Sequence, residues 1–326
     1  MKTIILADRE IDPEQWDAFI QRSPQAAIYA HYSYISTIKN KWQAVIVEEK
    51  GEWCAVMPIS MTKKWKYRAI LQPFFAQYWG IYCIPLPAKA TYEKYHKQKK
   101  WISAIVEAID DVDLFAINFS PRFEYSLPFY WKNYNLQTRY TYQLDLVRSE
   151  EELFEQFAPP LKRQIRKAKR NGLKLVDIPS TSAFMQLIDV NEKAGRSLLG
   201  QASDSKHIFV ALCTHLQANG KGNIWGIMDG ADRLLAAGLY IRDGHRMIYL
   251  LGAYLPAARD SGAMSLLMWE AIRQAKTAEM TLFDFEGSMI EGIETFFRKF
   301  GAHSVSYLHI RRNQLPIFIK WIRELL

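Results

Sequence analysis

The chain has little sulfur chemistry to offer. Among 326 residues only Cys54, Cys83 and Cys213 are cysteine. They lie far apart, are odd in number and form no CxxC, which argues against a disulfide framework or a zinc site. Free thiols of this kind suit a reducing compartment. Histidine is sparse too: there are seven, with no HxxxH and no HExxH. Each is therefore expected to be structural, not a metal ligand. No apolar run approaches the roughly 20 residues of a membrane span. The opening Met1-Lys2-Thr3-Ile4-Ile5-Leu6-Ala7-Asp8-Arg9-Glu10 turns charged before a signal sequence could form its apolar core. A cytoplasmic protein with no transmembrane segment is the expectation. No stretch is low in complexity.

What the chain does contain is apolar and aromatic material. It is 49% hydrophobic and 23% charged, with 10 Trp, 17 Tyr and 17 Phe, enough to fill a globular core. Its length allows one large domain or two ordinary ones. The net charge of +8, with a pI near 9.2, fits an anionic partner such as nucleic acid, phosphate or a membrane surface.

Periodicity gives an element order that occurs twice. Asp12-Pro13-Glu14 opens a helix through Trp16, Phe19 and Ile20. Val45-Ile46-Val47 and Trp53 to Met57 flank Lys50-Gly51 as a hairpin. An apolar segment runs from Ala69-Ile70-Leu71 toward Gln77-Tyr78-Trp79-Gly80. A helix from about Tyr92 to Asp110 precedes a buried strand from Leu114 to Phe119. Tyr140 to Leu146 alternates as a strand. Then Ser149 with Glu152 forms a capping box, and Pro159-Pro160 starts a second helix that Gly172 stops. Asn223 to Met228, Arg233 to Ile241 and His245 to Ala253 form a meander through Asp229-Gly230 and Asp243-Gly244. A helix from about Ser261 to Lys276 and a strand from Thr281 to Phe285 follow. The pattern predicts an α/β protein with mixed sheets and two similar domains, residues 1–145 and 146–326.

Three places can carry chemistry. The strand end Phe283-Asp284-Phe285-Glu286-Gly287-Ser288 spaces two carboxylates by one residue, so Asp284 and Glu286 are expected on one face. They can accept a proton from an amine, or they can pair structurally with Arg298 and Lys299. Ser288 has no histidine at nucleophile-elbow spacing, which excludes a serine-hydrolase reading. On the helix from Pro160 to Asn171, Arg163, Arg166, Lys167 and Arg170 share a face, and no acid intervenes between Pro159 and Gly172. An anionic ligand would relieve that repulsion. A solvated face with Lys169 and Arg170 near the negative end of the helix dipole is the plainer alternative. The turn Arg259-Asp260-Ser261-Gly262 precedes a helix and either binds phosphate through free N–H groups or is an ordinary cap. Leu315 to Leu326 is amphipathic, suited to a membrane surface or to packing on the body.

Arg163-x-x-Arg166-Lys167-Ala168-x-x-x-Gly172, Asp284-Phe285-Glu286-Gly287-Ser288 and Gly292…Phe296-Phe297-x-x-Phe300-Gly301 together resemble the FemAB-like acyltransferases of the GNAT superfamily, including their CelD-type (BcsL-type) bacterial relatives. The resemblance covers mainly residues 140 to 310. It implies two GNAT-like domains in tandem with a cleft between them, and transfer of an acyl or aminoacyl group to an amine. The donor would be acyl-CoA or aminoacyl-tRNA, with no permanently bound cofactor and no metal. The acceptor would be an anionic small molecule or glycan, in cell-wall or glycan metabolism. tRNA is an implied partner and DNA is not. Asp284 and Glu286 would be catalytic. Arg163, Arg166, Lys167, Tyr249, Ser288, Arg298 and Lys299 would bind substrate, and Arg259, Ser261 and Gly262 the donor's pyrophosphate. Backbone N–H groups near Leu250 to Ala253 would hold the oxyanion. Two positions depart from the family pattern. Phe297 stands where Fem enzymes carry a lysine, and Met264 stands in the pyrophosphate loop. These favour the alternative, a non-catalytic GNAT pair that binds an anionic glycan, nucleotide or RNA.

Overall fold

The computed structural model describes residues 1–86, 91–178, 180–200, 203–287 and 289–316. The chain divides into two compact units, Met1–Arg139 with Ser306–Leu326, and Tyr140–Val305. The seam falls inside a strand, ahead of the expected boundary after residue 145. The last strand returns to the first unit instead of staying with the second.

The first unit begins with β1 (Lys2–Ala7), α1 (Pro13–Arg22), α2 (Tyr32–Ile38), β2 (Gln43–Glu49) and β3 (Glu52–Ile59). The hairpin β4 (Met61–Lys64) and β5 (Tyr67–Leu71) follows, then β6 (Tyr82–Cys83), α3 (Thr91–Ala108), β7 (Leu114–Asn118), α4 (Leu127–Trp131) and the start of β8 (Asn135–Asp145). β1, β2, β3 and β6 form one antiparallel sheet. In the second run, β4-β5-β7-β14, strand β7 is parallel to β5, with α3 in the intervening chain. Asp12 caps α1 by accepting from the N–H groups of Glu14 and Gln15, as its place before Pro13 predicts. His309 of the returning strand is buried, with Nδ1 2.8 Å from Asn118 Oδ1, which also accepts from Arg139 at 3.2 Å. Burial pushes the imidazole pKa down to about 4, helped by Arg139 and Arg311.

The second unit contains α5 (Glu150–Gln156), α6 (Pro159–Arg170), β9 (Lys174–Asp177), α7 (Thr181–Lys193) and α8 (Ser205–Ala218). The meander β10 (Gly222–Met228), β11 (Leu234–Asp243) and β12 (Arg246–Tyr254) follows. Then come α9 (Ala263–Thr277), β13 (Leu282–Asp284), α10 (Glu291–Arg298) and the start of β14 (His303–Asn313). Its strand order is β8-β13-β12-β11-β10-β9. β13 is parallel to β12 and reaches it across α9. α6 and α9 cover one face of the sheet, their Leu161, Ile165, Ala168, Leu267, Ala271 and Ile272 stripes sharing a core with Phe283 and Tyr240. The capping box Ser149/Glu152 forms as predicted.

Phe296-Phe297-Arg298 lies on helix α10. One segment differs from the sequence expectation. β13 stops at Asp284, so the strand does not extend to Phe285.

Candidate functional site

Parallel strands β12 and β13 pair at Arg246↔Leu282, Met247↔Phe283 and Ile248↔Asp284. There β13 ends, and β12 runs on to Tyr254. One residue further along β12 the ladder to β11 slips: Tyr240 faces Tyr249, but Leu239 faces Leu251. Leu250 is thus a bulge, an extra residue that re-aims its neighbours. The two strands part where the backbone of β12 is irregular.

The turn after β13 is held from several sides. Asp284 is fully buried. Its Oδ1 accepts from the Thr141 hydroxyl at 2.7 Å and from the Glu286 N–H at 2.9 Å. Its Oδ2 accepts from Gln143 at 2.9 Å and from Arg246 at 3.4 Å. A buried carboxylate needs such donors to offset its lost hydration. Glu286 then takes a left-handed backbone, φ 58°, and Gly287 follows at φ 66°. A side chain on Gly287 is impossible without movement, since a Cβ would lie 2.3 Å from the Tyr140 carbonyl. Glutamate gains nothing intrinsic from φ > 0, so the surroundings impose it.

That backbone takes Glu286 off the strand alternation. The expected shared face for Asp284 and Glu286 is therefore corrected: Asp284 points into a closed network, while Glu286 is half-exposed. Glu286 lies near Tyr249, a buried residue whose hydroxyl sits over Gly252, 2.0 Å from where a Cβ would be. Burial, and then the Glu286 charge, raise the Tyr249 pKa well above that of an ordinary tyrosine. Tyr249 therefore stays a protonated hydroxyl, able to donate.

Arg298 does not pair with Asp284 or Glu286. Its Nε donates to Glu294 at 2.9 Å, and the same carboxylate oxygen accepts from Tyr142 at 2.8 Å. The Tyr142 hydrogen bond is the main reason the Glu294 carboxyl is held below its usual pKa. Lys299 is half-buried and ends α10. Ser288 lies outside the described residues. Phe297 is buried, its ring 5.0 Å from Phe285 and 6.1 Å from Tyr249. Where the family pattern has a lysine, this chain has a core aromatic.

α6 meets the start of α9. Gly262, at φ 80°, closes the six-residue 3-10 turn Pro256–Ser261, and a Cβ there would fall 2.5 Å from the Gln164 carbonyl. Lys167 Nζ donates to the Asp260 carbonyl at 3.0 Å. The N-cap of α9 is Gly262, and the Ser261 hydroxyl ahead of it accepts from the Ala263 N–H and donates to the Ala258 carbonyl. Arg259 is exposed, and the Met264 methyl reaches back over Gly252. On α6, Arg163, Arg166 and Lys167 are exposed, with the Arg166 guanidinium 5.4 Å from the Phe154 ring centre. Acids absent from the helix itself arrive from neighbours: Glu155 pairs with Lys162, and Glu270 with Lys169, each at 2.9 Å. They temper the repulsion anticipated from the sequence. Among the described residues Arg163 and Arg170 have no such partner.

Thr141, Gln143, Arg246, Tyr142 and Glu294 were not singled out in the sequence. Thr141 and Gln143 carry a usable signal, two polar residues at i, i+2 beside an apolar strand face. A cavity lined by Glu192, Ser197, Ser205 and Lys206 shares none of these residues. Among the described residues no His, Cys, Asp and Glu cluster could hold a metal, and no helix is long and apolar enough to cross a membrane.

The pattern of the family described as "Acetyltransferase (GNAT) domain" matches residues 159–298, which include α6, β12, α9, β13 and α10. No curated protein sequence matches the chain. Among solved structures, FemX superposes with a TM-score of 0.67 at 13% identity, over 94% of this chain and 97% of that one. L-PGS from Bacillus licheniformis follows with 0.56 at 14%, over 95% of each. A tandem GNAT protein from the clavulanic acid biosynthesis pathway gives 0.57 at 9%, over 97% and 99%. At such identities the likeness is one of fold, and the fold is a tandem GNAT arrangement of mixed α/β units.

Proposed function

From the GNAT acetyltransferase domain matched over residues 159–298 and the tandem GNAT fold, we propose that this chain is a FemAB-like acyltransferase that transfers an acyl or aminoacyl group from an activated ester or thioester to an amine. The observation that carries the reading is Glu286, held in a left-handed backbone beside Tyr249 where β12 and β13 part. An attacking amine must lose a proton, and a half-exposed carboxylate at the strand opening can accept it. The new C–N bond forms as the C–S or C–O bond of the donor breaks, and the leaving group takes a proton. The protonated Tyr249 hydroxyl would donate to that group or to the carbonyl oxygen. N–H groups around the Leu250 bulge are the candidates for the oxyanion. Asp284 positions the turn and does not itself exchange protons with substrate.

Arg163, Arg166, Lys167 and the Arg259–Gly262 turn would hold the anionic part of donor or acceptor. The Lys167–Asp260 contact joins the two groups, which supports one shared subsite. Acyl-CoA and aminoacyl-tRNA both suit that charge, and both place the reaction in the cytoplasm. An anionic amine, a small molecule or glycan, would be the acceptor.

The test is a thermal-shift screen of acyl-CoAs and charged tRNAs, followed by turnover with each ligand that stabilises the protein. Glu286→Gln should lower turnover by about 10²–10⁴-fold while the ligand shift persists. Unchanged turnover in that variant would remove Glu286 from the mechanism. The buried Phe297 and the Met264 methyl over Gly252 favour a second reading, anionic-ligand binding without catalysis. A ligand that stabilises the protein but is never turned over would select it.

A further inference from the structure

The hairpin β4–β5 of the first unit carries costs that its contacts among the described residues offset only in part. Lys64 pairs with Tyr67, so its turn is Trp65-Lys66. Trp65 is 78% exposed and has φ 57°. A bulky aromatic in the left-handed region is strained, and the position calls for glycine or asparagine. All four residues of β4 are exposed. Lys63 lies directly opposite Arg68, a like-charge pair that weakens a ladder. Arg68 is neutralised by Asp111 at 2.5 Å, but Lys63, Lys64 and Lys66 meet no carboxylate among the described residues. Lys66 stands 5.5 Å from the Tyr67 ring centre instead.

The same chemistry continues beyond the hairpin. The Asp110-Asp111 turn that holds Arg68 also pairs Asp110 with Lys132, next to the exposed Tyr130 and Trp131 of α4. Lys99 lies 4.9 Å from the Trp131 ring centre. Tryptophan, tyrosine and lysine are the residues that settle at a lipid headgroup boundary: the ring or stem enters the apolar edge and the polar end stays wet. A convex tip with one exposed indole offers no groove for a nucleic-acid strand, which tracks a channel of stacked aromatics.

We propose that the Trp65 hairpin docks the first unit on an anionic phospholipid surface. Trp65 enters the headgroup region, and Lys63, Lys64 and Lys66 meet the lipid phosphates. The proposal is independent of the acyl-transfer reading, since it uses none of its residues.

Co-sedimentation of the full chain with vesicles tests it, using phosphatidylcholine mixed with phosphatidylglycerol and phosphatidylcholine alone. The wild-type protein should partition onto the mixed vesicles, lose that binding at high salt, and ignore the neutral ones. Lys63→Glu with Lys64→Glu reverses two charges and should cut partitioning by roughly a thousandfold. Trp65→Gly should cut it by about tenfold or more. Glycine suits the backbone at that position, so this variant should keep or raise the melting temperature and cannot fail through misfolding. Equal partitioning of wild type and Trp65→Gly would overturn the proposal. So would equal binding to neutral vesicles, or binding of single-stranded RNA by the hairpin lysines with no vesicle binding.

Discussion

The Asp284 carboxylate accepts the Glu286 N–H at 2.9 Å, so one acid shapes the backbone that aims the other. The two residues divide the labour. Asp284 takes donors from β8, β12 and its own turn, and Glu286 stays partly exposed near Tyr249.

Asp284→Asn should therefore act on stability. An amide cannot accept at both ends, so at least one of the Thr141, Gln143, Arg246 and Glu286 donors loses its partner. The expected cost is about 1–3 kcal/mol, read from urea unfolding. A variant as stable as wild type would show that the buried network contributes nothing.

Glu286→Gly separates strain from chemistry. Glycine accepts φ 58° without penalty, so stability should hold or rise by up to about 1 kcal/mol. Turnover should collapse, because no base remains at the opening. A stability loss together with full turnover would reverse both assignments.

Gly287→Ala should destabilise by more than about 2 kcal/mol. Its Cβ would press on the Tyr140 carbonyl from 2.3 Å, at a φ alanine disfavours. Thermal unfolding would measure it, and a neutral alanine variant would mean that β8 yields at this point.

His309 supplies a pH dependence. Its folded pKa, about 4, lies below the unfolded value of about 6.5. The folded state thus binds fewer protons in that window, and stability rises with pH between the two values. Its contribution is complete above the unfolded pKa and declines on acidification, by up to about 3 kcal/mol at pH 4. His309→Asn should flatten that acid limb in denaturant midpoints measured from pH 4 to pH 7. An unchanged limb would assign it to carboxylates.

The elements with strong periodicity were readable in advance: α9, the meander with its Asp-Gly turns, and the capping box at Ser149. So was the alternation of Phe283 and Asp284. It failed one residue beyond the strand, because the left-handed Glu286 is imposed by Asp284, Thr141 and the backbone of β8, partners far away in sequence. α7 and α8 went unnoticed, since their apolar residues pack on the sheet from a segment with mixed local signals. The acids that offset the α6 cations belong to α5 and α9, and no reading confined to one helix could supply them. The β4–β5 hairpin has no Asn-Gly or Asp-Gly at its turn; Trp65 sits where a short-range signal would be.

β7 pairs with His309–Asn313 of β14, near the far end of the described chain. During synthesis every residue of the second unit leaves the ribosome before that strand does. The earlier-made part of the first unit must wait, with one edge of β7 open, until the codons for His309–Asn313 are read. The molecule is thus completed in reverse order of its numbering: the second unit can close while the first cannot. A stop codon anywhere before residue 309 would spoil the half that was made first.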